Sequence, residues 1–306
     1  MLSARPWNLE AVIRLVFSVF VCFCAGYLIS VALPVLSAGK PAGKLLLLDA
    51  FGLICLAAAL ILSRRPWGVG NSGRRVAVLL VCAYTGMLLG LWAQHLAGRG
   101  EARISTGQML VALASFQGAL LAFVPGFLRE HQERPVEAFG LANRWPLALG
   151  CGALAACLFF PIGLQTLKGT AWLMENLPFF PMRPVEQAAV NTIRSAPGWF
   201  DRLALGAATI ILVPVSEEVL FRGILYPWIK NLGFPRLAIW GTSLVFAIVH
   251  FNMQGIPALF LLALILTLLY EKTGNLLAPI AAHSLFNALN LAQLYRIDFL
   301  IQQQPY

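Results

Sequence analysis

The sequence predicts an all-α fold, a polytopic transmembrane helical bundle of about eight to nine spans whose polar residues gather in a C-terminal four-helix core. The first observation is composition, since 59% of the 306 residues are hydrophobic and only 11% are charged. Soluble domains have about 25% charged residues. The second observation is a series of apolar runs, most of them close to the roughly 20 residues that a spanning helix needs. The runs cover residues 12–34, 45–63, 76–97, 107–128, 145–166, 203–230, 237–252, 256–270 and 276–295.

The runs are predicted to be helices, because a backbone in lipid must satisfy its own hydrogen bonds. Strands of a membrane barrel would instead appear as segments of about ten residues with alternating polarity. The runs of this chain show no such alternation. Glycine, proline and charged residues fill the breaks between them, as turns require.

Two segments are predicted to connect spans without crossing the membrane. Residues 129–144 carry charges of both signs and are expected to form a cytoplasmic loop. Residues 168–202 form the longest connection, on the opposite side, with an interfacial amphipathic helix around residues 185–193. Cytoplasmic loops are enriched in Lys and Arg, so the basic loop Arg64–Arg75 is placed in the cytoplasm together with the N-terminus.

The net charge of +9 does not predict a nucleic-acid partner. The basic residues are scattered between apolar runs, where Lys and Arg anchor and orient membrane helices. We therefore expect an integral membrane protein, located in a bacterial inner membrane, that contacts the lipid bilayer and no nucleic acid.

The chain is expected to divide by role near residue 200. Residues 1–200 supply the N-terminal transmembrane helices and the interfacial segment, and no role is predicted for them. Residues 201–296 are expected to form the catalytic core, because the apolar runs become polar at particular points only there. Residues 297–306 form a C-terminal tail.

Three short polar stretches interrupt the C-terminal runs. A charged residue at the centre of a bilayer costs roughly 2.5–3.5 kcal/mol on insertion scales. Two adjacent glutamates in one apolar run therefore need partners or a water-filled cavity, which predicts a functional site. The stretches contain Glu217, Glu218 and Arg222, then Phe246, His250 and Asn252, then His283 and Asn287.

Spacing along the predicted helices gives the two glutamates different partners. Glu218 and Arg222 are four residues apart, so they share a helix face and can pair. Glu217 points about 100° away on a helix of 3.6 residues per turn, which leaves its carboxylate free for chemistry. His283 and Asn287 are also four residues apart and are expected to point toward one place.

Counting from the helix turns predicts that these groups meet at one depth. Glu217 and His250 lie almost equally far from the turn at Gly233, on opposite sides of it. With the same rise per residue in antiparallel helices, they reach nearly equal heights. The same count places Asn287 near that level and His283 about one turn below it.

The constellation predicts hydrolysis of an amide bond. A carboxylate beside an imidazole can activate water by taking its proton, so Glu217 is the predicted base and His250 assists it. His283 and Asn287 can donate hydrogen bonds to a developing oxyanion.

Three further residues are predicted to support the site. Arg222 is expected to be the structural partner of Glu218. Phe246 is expected to pack against the pocket and shape it, and Asn252 is a candidate lining residue.

A divalent metal ion is an alternative. Glu217, His250 and His283 could hold an ion such as zinc and leave one coordination position open. The chain has no H-E-x-x-H, the motif that most often marks a zinc protease. The preferred interpretation requires no cofactor.

The motifs E-E-x-x-x-R, F-x-x-x-H and H-x-x-x-N, in this order on apolar helices, resemble those of the CAAX-protease and bacteriocin-processing (CPBP, or Abi) family. The resemblance covers about residues 200–295. It implies membrane-embedded proteolysis by glutamate-activated water, although many members are described as metalloproteases. The residues that match the motifs are Glu217, Glu218, Arg222, Phe246, His250, His283 and Asn287.

The resemblance also implies a class of partner. Eukaryotic relatives cleave the last three residues from prenylated CAAX proteins. Bacterial relatives process peptides, confer immunity to them or act in sorting of C-terminal anchors. We therefore expect an endopeptidase that cuts a membrane-anchored or lipidated protein or peptide near its C-terminus or membrane anchor.

Two other classes of function stay open at this stage. A bacteriocin-immunity or peptide-binding membrane protein could keep the same fold without catalysis. An ion- or proton-coupled transporter could also use carboxylates inside the membrane. The halves of the chain show no internal repeat, and the polar residues are confined to one end, which disfavours transport.

Overall fold

The computed structural model describes residues 7–37, 105–176, 188–196, 198–250 and 252–302, and all regular structure in these ranges is helical. The all-α prediction is therefore confirmed. The nine helices in these ranges are α1 (Leu9–Ser37), α2 (Thr106–Glu130), α3 (Pro135–Ala138), α4 (Trp145–Asn176), α5 (Ala188–Arg194), α6 (Trp199–Asn231), α7 (Pro235–Ile248), α8 (Ile256–Thr273) and α9 (Leu277–Gln302).

Five helical segments of the described ranges are long and apolar enough to cross a membrane. They are Leu9–Tyr27 within α1, and helices α2, α4, α6 and α8. The runs at 45–63 and 76–97 and the basic loop Arg64–Arg75 lie outside the described residues. The total of eight or nine spans therefore stays a prediction. The expected spans at 237–252 and 276–295 are not among the five, because α7 has only 14 residues and α9 carries the polar residues of the third motif.

The segment expected to connect spans at 168–202 is partly helical. Helix α4 continues through its beginning as far as Asn176, because the apolar pattern resumes after Lys168. The helix predicted around residues 185–193 appears as α5, Ala188–Arg194, within the described part of this segment.

The described chain forms two compact units. The first runs from Asn8 to Gln132 and contains α1 and α2. Arg14 is buried there and bonds to Glu10 at 3.3 Å and to Glu130, which joins the two helices.

The second unit contains Trp7 and the residues from Glu133 onward, including all residues of the three motifs. The division by role near residue 200 stays a prediction.

Close packing of α4 against α9 forms one side of the second unit. A Cβ atom at Gly152 would lie 2.3 Å from the Ala278 carbonyl oxygen, so only glycine permits this approach. The rings of Phe159 and Phe286 pack nearby, with centroids 5.6 Å apart. Leu262 and Leu266 of α8 complete the same apolar cluster.

Helix α6 carries the first motif and departs twice from α-helical geometry. Residues Ala208–Leu212 and Val219–Leu225 form π-helical turns, in which hydrogen bonds reach back five residues. Pro214 and Pro227 each follow one of these stretches. Because proline has no N–H, each interrupts the row of backbone hydrogen bonds next to the motif.

The turn between α8 and α9 fixes the start of the helix that carries the third motif. Gly274 ends α8 in the left-handed region (φ 62°), where glycine is favoured. The fully buried Asn275 donates to the carbonyl oxygens of Leu141 and Asn143 at 3.2 and 2.7 Å. Its side-chain oxygen accepts from the Leu277 N–H at 2.9 Å, at the first residue of α9.

Candidate active site

Glu218 and Arg222 form a buried ion pair. Arg222 Nη1 donates to Glu218 Oε1 at 2.8 Å, and the two side chains are 1% and 0% exposed. Arg222 Nη2 donates to the Ala263 carbonyl at 2.9 Å, and its Nε lies 3.4 Å from Thr267 Oγ1. Buried charges need such additional hydrogen bonds to offset their desolvation. The pair predicted from the i, i+4 spacing is therefore present and is tied to α8.

His283 also binds Glu218. Its Nδ1 lies 2.9 Å from the same Oε1 atom that Arg222 contacts. A carboxylate oxygen accepts, so Nδ1 carries the proton and donates. The contact turns the opposite ring nitrogen, Nε2, toward the second glutamate. Glu218 thus fixes two side chains and is enclosed by them.

Glu217 occupies a different position, as the 100° rotation predicts. Its Oε2 atom is 3.8 Å from His250 Nε2 and 4.0 Å from His283 Nε2. Both distances exceed a direct hydrogen bond and suit a small molecule placed between the groups. Within the described residues, this buried oxygen has no hydrogen-bond partner. The carboxylate of Glu217 is therefore available for chemistry.

His250 lies in the turn that follows α7. Its Nδ1 is 2.7 Å from the carbonyl oxygen of Phe246, which can only accept. The proton of the neutral ring is therefore on Nδ1, and the lone pair of Nε2 faces Glu217. The side chain is 20% exposed, compared with 4% for His283. The site is thus more open on the His250 side.

Phe246 forms a wall of the site. It is fully buried, and the Arg222 guanidinium lies 4.6 Å above its ring. The same ring packs against the imidazoles of His250 and His283, at centroid distances of 4.9 and 5.7 Å. Phe246 therefore packs against both the ion pair and the two imidazoles.

Asn287 does not lie at the depth that counting residues along the helices predicted. Its Nδ2 donates to the Thr209 carbonyl at 3.0 Å, toward the start of α6. The predicted order of depths was wrong, because His283, not Asn287, reaches the level of the glutamates. The count assumed one constant rise, whereas the π-helical turns of α6 place more residues in each turn.

The contacts of Asn252 are with the backbone. Its Oδ1 atom accepts from the Gly255 N–H at 3.0 Å, and its carbonyl accepts from the Gly255 and Ile256 N–H groups. These bonds close the turn after His250 and start α8. Asn252 stays a candidate lining residue, and the described contacts give it a structural role in placing that turn.

The three candidate ligands of the metal alternative are Glu217, His250 and His283. No group of His, Cys, Asp and Glu side chains in the described ranges is arranged to hold a metal ion. Zinc lies about 2.0–2.2 Å from its nitrogen and oxygen ligands. An ion bound to Glu217 Oε2 and to both imidazoles would open the ligand–zinc–ligand angles well beyond tetrahedral, given separations of 3.8 and 4.0 Å. Glu217, His250 and His283 as placed do not fit such an ion.

The sequence did not indicate the role of α8 in the site. Thr267 and the Ala263 carbonyl, one helical turn apart, hold Arg222 from that helix. Thr267 is fully buried within an apolar run, and its hydroxyl also bonds to the Ala263 carbonyl at 2.9 Å. A polar residue inside the run at 256–270 was the available signal.

Comparisons with known proteins agree with the motifs. Residues 199–289 match the family described as type II CAAX prenyl endopeptidase Rce1-like. The uncharacterized protein YpbD of Bacillus subtilis (strain 168) is 35% identical over 88 residues, which are 28% of this chain and 42% of YpbD. The UPF0177 protein YxdF of Lactococcus lactis subsp. lactis (strain IL1403) is 33% identical over 158 residues, covering 46% of this chain and 85% of YxdF. No solved structure matches the chain.

Proposed function

Because the chain belongs to the CAAX-protease and bacteriocin-processing family, we propose that it is an intramembrane endopeptidase in which Glu217 activates the hydrolytic water. The observation that carries this proposal is the difference between the two adjacent glutamates. Glu218 is held by Arg222 and His283. Glu217 Oε2 faces two imidazole nitrogens across a gap, at 3.8 and 4.0 Å.

In the proposed mechanism, Glu217 and His250 act on one water molecule in this gap, each in a different role. A water bound to Glu217 Oε2 can donate its second hydrogen to the lone pair of His250 Nε2. Glu217 takes a proton from the water while the water oxygen attacks the carbonyl carbon of the peptide. When the C–N bond breaks, Glu217 returns that proton to the leaving amine. His250 orients the water and, through the Phe246 carbonyl, is itself held in one tautomer.

The developing oxyanion needs hydrogen-bond donors around the position that the carbonyl oxygen will occupy. His283 uses Nδ1–H on Glu218, so it can donate from Nε2 when the ring carries both protons. Asn287 has two side-chain N–H groups, and one of them bonds to the Thr209 carbonyl. We assign the second to the oxyanion.

The substrate proposed is a membrane-anchored or lipidated protein or peptide cut near its C-terminus or anchor. A site between apolar helices suits such a chain, because the anchor can stay in the bilayer while the scissile bond enters. The family description names a prenyl endopeptidase, which makes a prenylated peptide the first probe.

The location proposed is a bacterial inner membrane with the N-terminus in the cytoplasm. It is supported by the five helical segments long and apolar enough to cross a membrane and by the bacterial sources of both relatives. Reporter fusions at the two ends of α4 would report which end faces the cytoplasm.

Reconstituted protein tests the proposal. Wild type and Glu217→Ala are placed in liposomes with a farnesylated peptide or with an unlipidated peptide that has a transmembrane anchor. Wild type is expected to release a C-terminal fragment from at least one probe, and Glu217→Ala from neither. Binding of a probe without cleavage by either protein would instead favour a peptide-binding or immunity function.

A further inference from the structure

Helix α6 lacks a backbone hydrogen bond beside the catalytic motif. In α-helical register, the N–H of residue 227 would bond to the carbonyl of Gly223, but residue 227 is proline. The preceding N–H, of Tyr226, reaches back five residues to Phe221. Pro227 therefore removes the donor that the Gly223 carbonyl, directly after Arg222, would have in α-helical register.

Trp7 supplies the missing donor. Its indole Nε1 lies 3.2 Å from the Gly223 carbonyl oxygen, although 216 residues separate the two in the sequence. The indole is 5% exposed, so this bond is shielded from water. A buried carbonyl without a donor is costly. Trp7 and Gly223 also belong to the same compact unit, although α1 begins only two residues after Trp7.

Gly223 is packed closely on another side. A Cβ atom there would lie 2.8 Å from Cε1 of Phe139, so the Phe139 ring rests against the bare backbone. The turn that contains Arg222 and Gly223 is therefore fixed by a ring contact and by the indole hydrogen bond. Arg222 in turn holds Glu218 at 2.8 Å.

A related arrangement occurs before the motif, where proline interrupts the π-helical row of hydrogen bonds. Val213 N–H reaches back five residues to Ala208, and the next donor in that row would belong to residue 214, which is proline. The Thr209 carbonyl that this leaves open accepts from Asn287. Two proline gaps thus flank Glu217, Glu218 and Arg222, and a side chain from a distant segment closes each one.

We propose that Trp7 is a positioning residue of the active site. By donating to the Gly223 carbonyl across the gap left by Pro227, it holds the Arg222 turn in the geometry that places Glu218 and His283. Trp7, two residues before α1, is thus part of the catalytic unit. The effect on activity rests on the proposed function, whereas the hydrogen bond itself can be tested without it.

Removing only the indole N–H is the sharpest test. Benzothienylalanine at position 7 keeps the ring shape and lacks the donor, and Trp7→Phe is the genetically encoded counterpart. Each is made in the full chain with Pro227 and with Pro227→Ala, which restores a backbone N–H for Gly223. Trp199→Phe, at a 77% exposed tryptophan, is the matched control. Unfolding midpoints are measured for all proteins, and kcat and KM on the farnesylated peptide.

With Pro227 present, loss of the indole N–H is expected to lower kcat by about tenfold with KM unchanged. The unfolding midpoint is expected to fall by about 2–4 °C. In the Pro227→Ala background both losses should largely disappear, and Trp199→Phe should show neither.

The outcomes separate the two proposals. If the change at position 7 lowers the unfolding midpoint only when residue 227 is proline, the Trp7 contact is supported. If in the same experiment no protein cleaves the peptide, the result counts against the protease. Benzothienylalanine at position 7 with wild-type kcat and midpoint would overturn the role of Trp7. If Pro227→Ala does not fold, the benzothienylalanine protein decides alone.

Discussion

The Oε2 atom of Glu217 lies 3.8 Å from the Nε2 atom of His250, across a gap that suits one water molecule. The adjacent carboxylate, that of Glu218, is instead bound directly by Arg222 and His283. Neighbouring carboxylates of one helix thus differ in their contacts, because one is bound directly and the other faces imidazole nitrogens across a gap.

Removing one partner of the Glu218–Arg222 ion pair is expected to destabilise the core more than removing the charges of both. Arg222→Met leaves Glu218 without its strongest partner in a buried site, and we expect a loss of about 3–5 kcal/mol in the free energy of unfolding. Chemical unfolding in detergent measures this loss. Arg222→Met with Glu218→Gln should be clearly less destabilised than Arg222→Met alone, because no unpaired charge remains. Simple addition of the two single effects would argue against direct coupling.

His250 is expected to act on the water and not on folding. His250→Ala should lower kcat by about 10²–10⁴-fold, the range for a positioned acid–base group, while the unfolding midpoint stays near that of the wild type. Added imidazole should restore part of the activity of His250→Ala and leave the wild type unchanged. A variant that retains full activity would remove His250 from the mechanism.

Asn287 can be tested for two separable roles. Its bond to the Thr209 carbonyl compensates for Pro214, so Pro214→Ala should make that bond dispensable for stability. In this background, Asn287→Ala should keep the unfolding midpoint of Pro214→Ala but lose about 10²–10³-fold in kcat, as expected for an oxyanion donor. Full recovery of kcat would show that Asn287 only supports the helix.

The placement of Glu217, His250 and His283 leads us to expect catalysis that does not depend on a metal. Purified protein should keep its activity after treatment with EDTA and should contain far less than one zinc ion per chain by elemental analysis. One zinc ion per chain, with activity lost on chelation and regained on adding zinc, would contradict this prediction. That result would mean that the three side chains rearrange around an ion.

Composition and local spacing were enough to predict the helical class and the ion pair. Glu218 and Arg222 meet because four residues make about one helical turn, which depends on neither packing nor topology. The orientation of Glu217 away from them follows from the same rotation. These relationships are local, so the sequence determines them directly.

The depths and the distant contacts could not be predicted in this way. The level of Asn287 was missed because the count assumed helix turns of equal depth and a constant rise per residue, and the π-helical turns in α6 depart from the second assumption. The contact of Trp7 with Gly223 joins segments 216 residues apart, and no periodic pattern relates them. Pro227, four residues after Gly223, was the local signal that its carbonyl would need another donor.

The central claim, that Glu217 drives peptide-bond hydrolysis in the membrane, is tested most directly by the C-terminal peptides of living cells. Three isogenic strains are compared by mass spectrometry. One lacks the protein, one makes the wild type, and one makes Glu217→Gln at the same level in the membrane. We expect a set of C-terminal fragments from membrane-anchored or lipidated proteins in the wild-type strain only. An identical inventory in all three strains, or the same fragments with Glu217→Gln, would contradict the account.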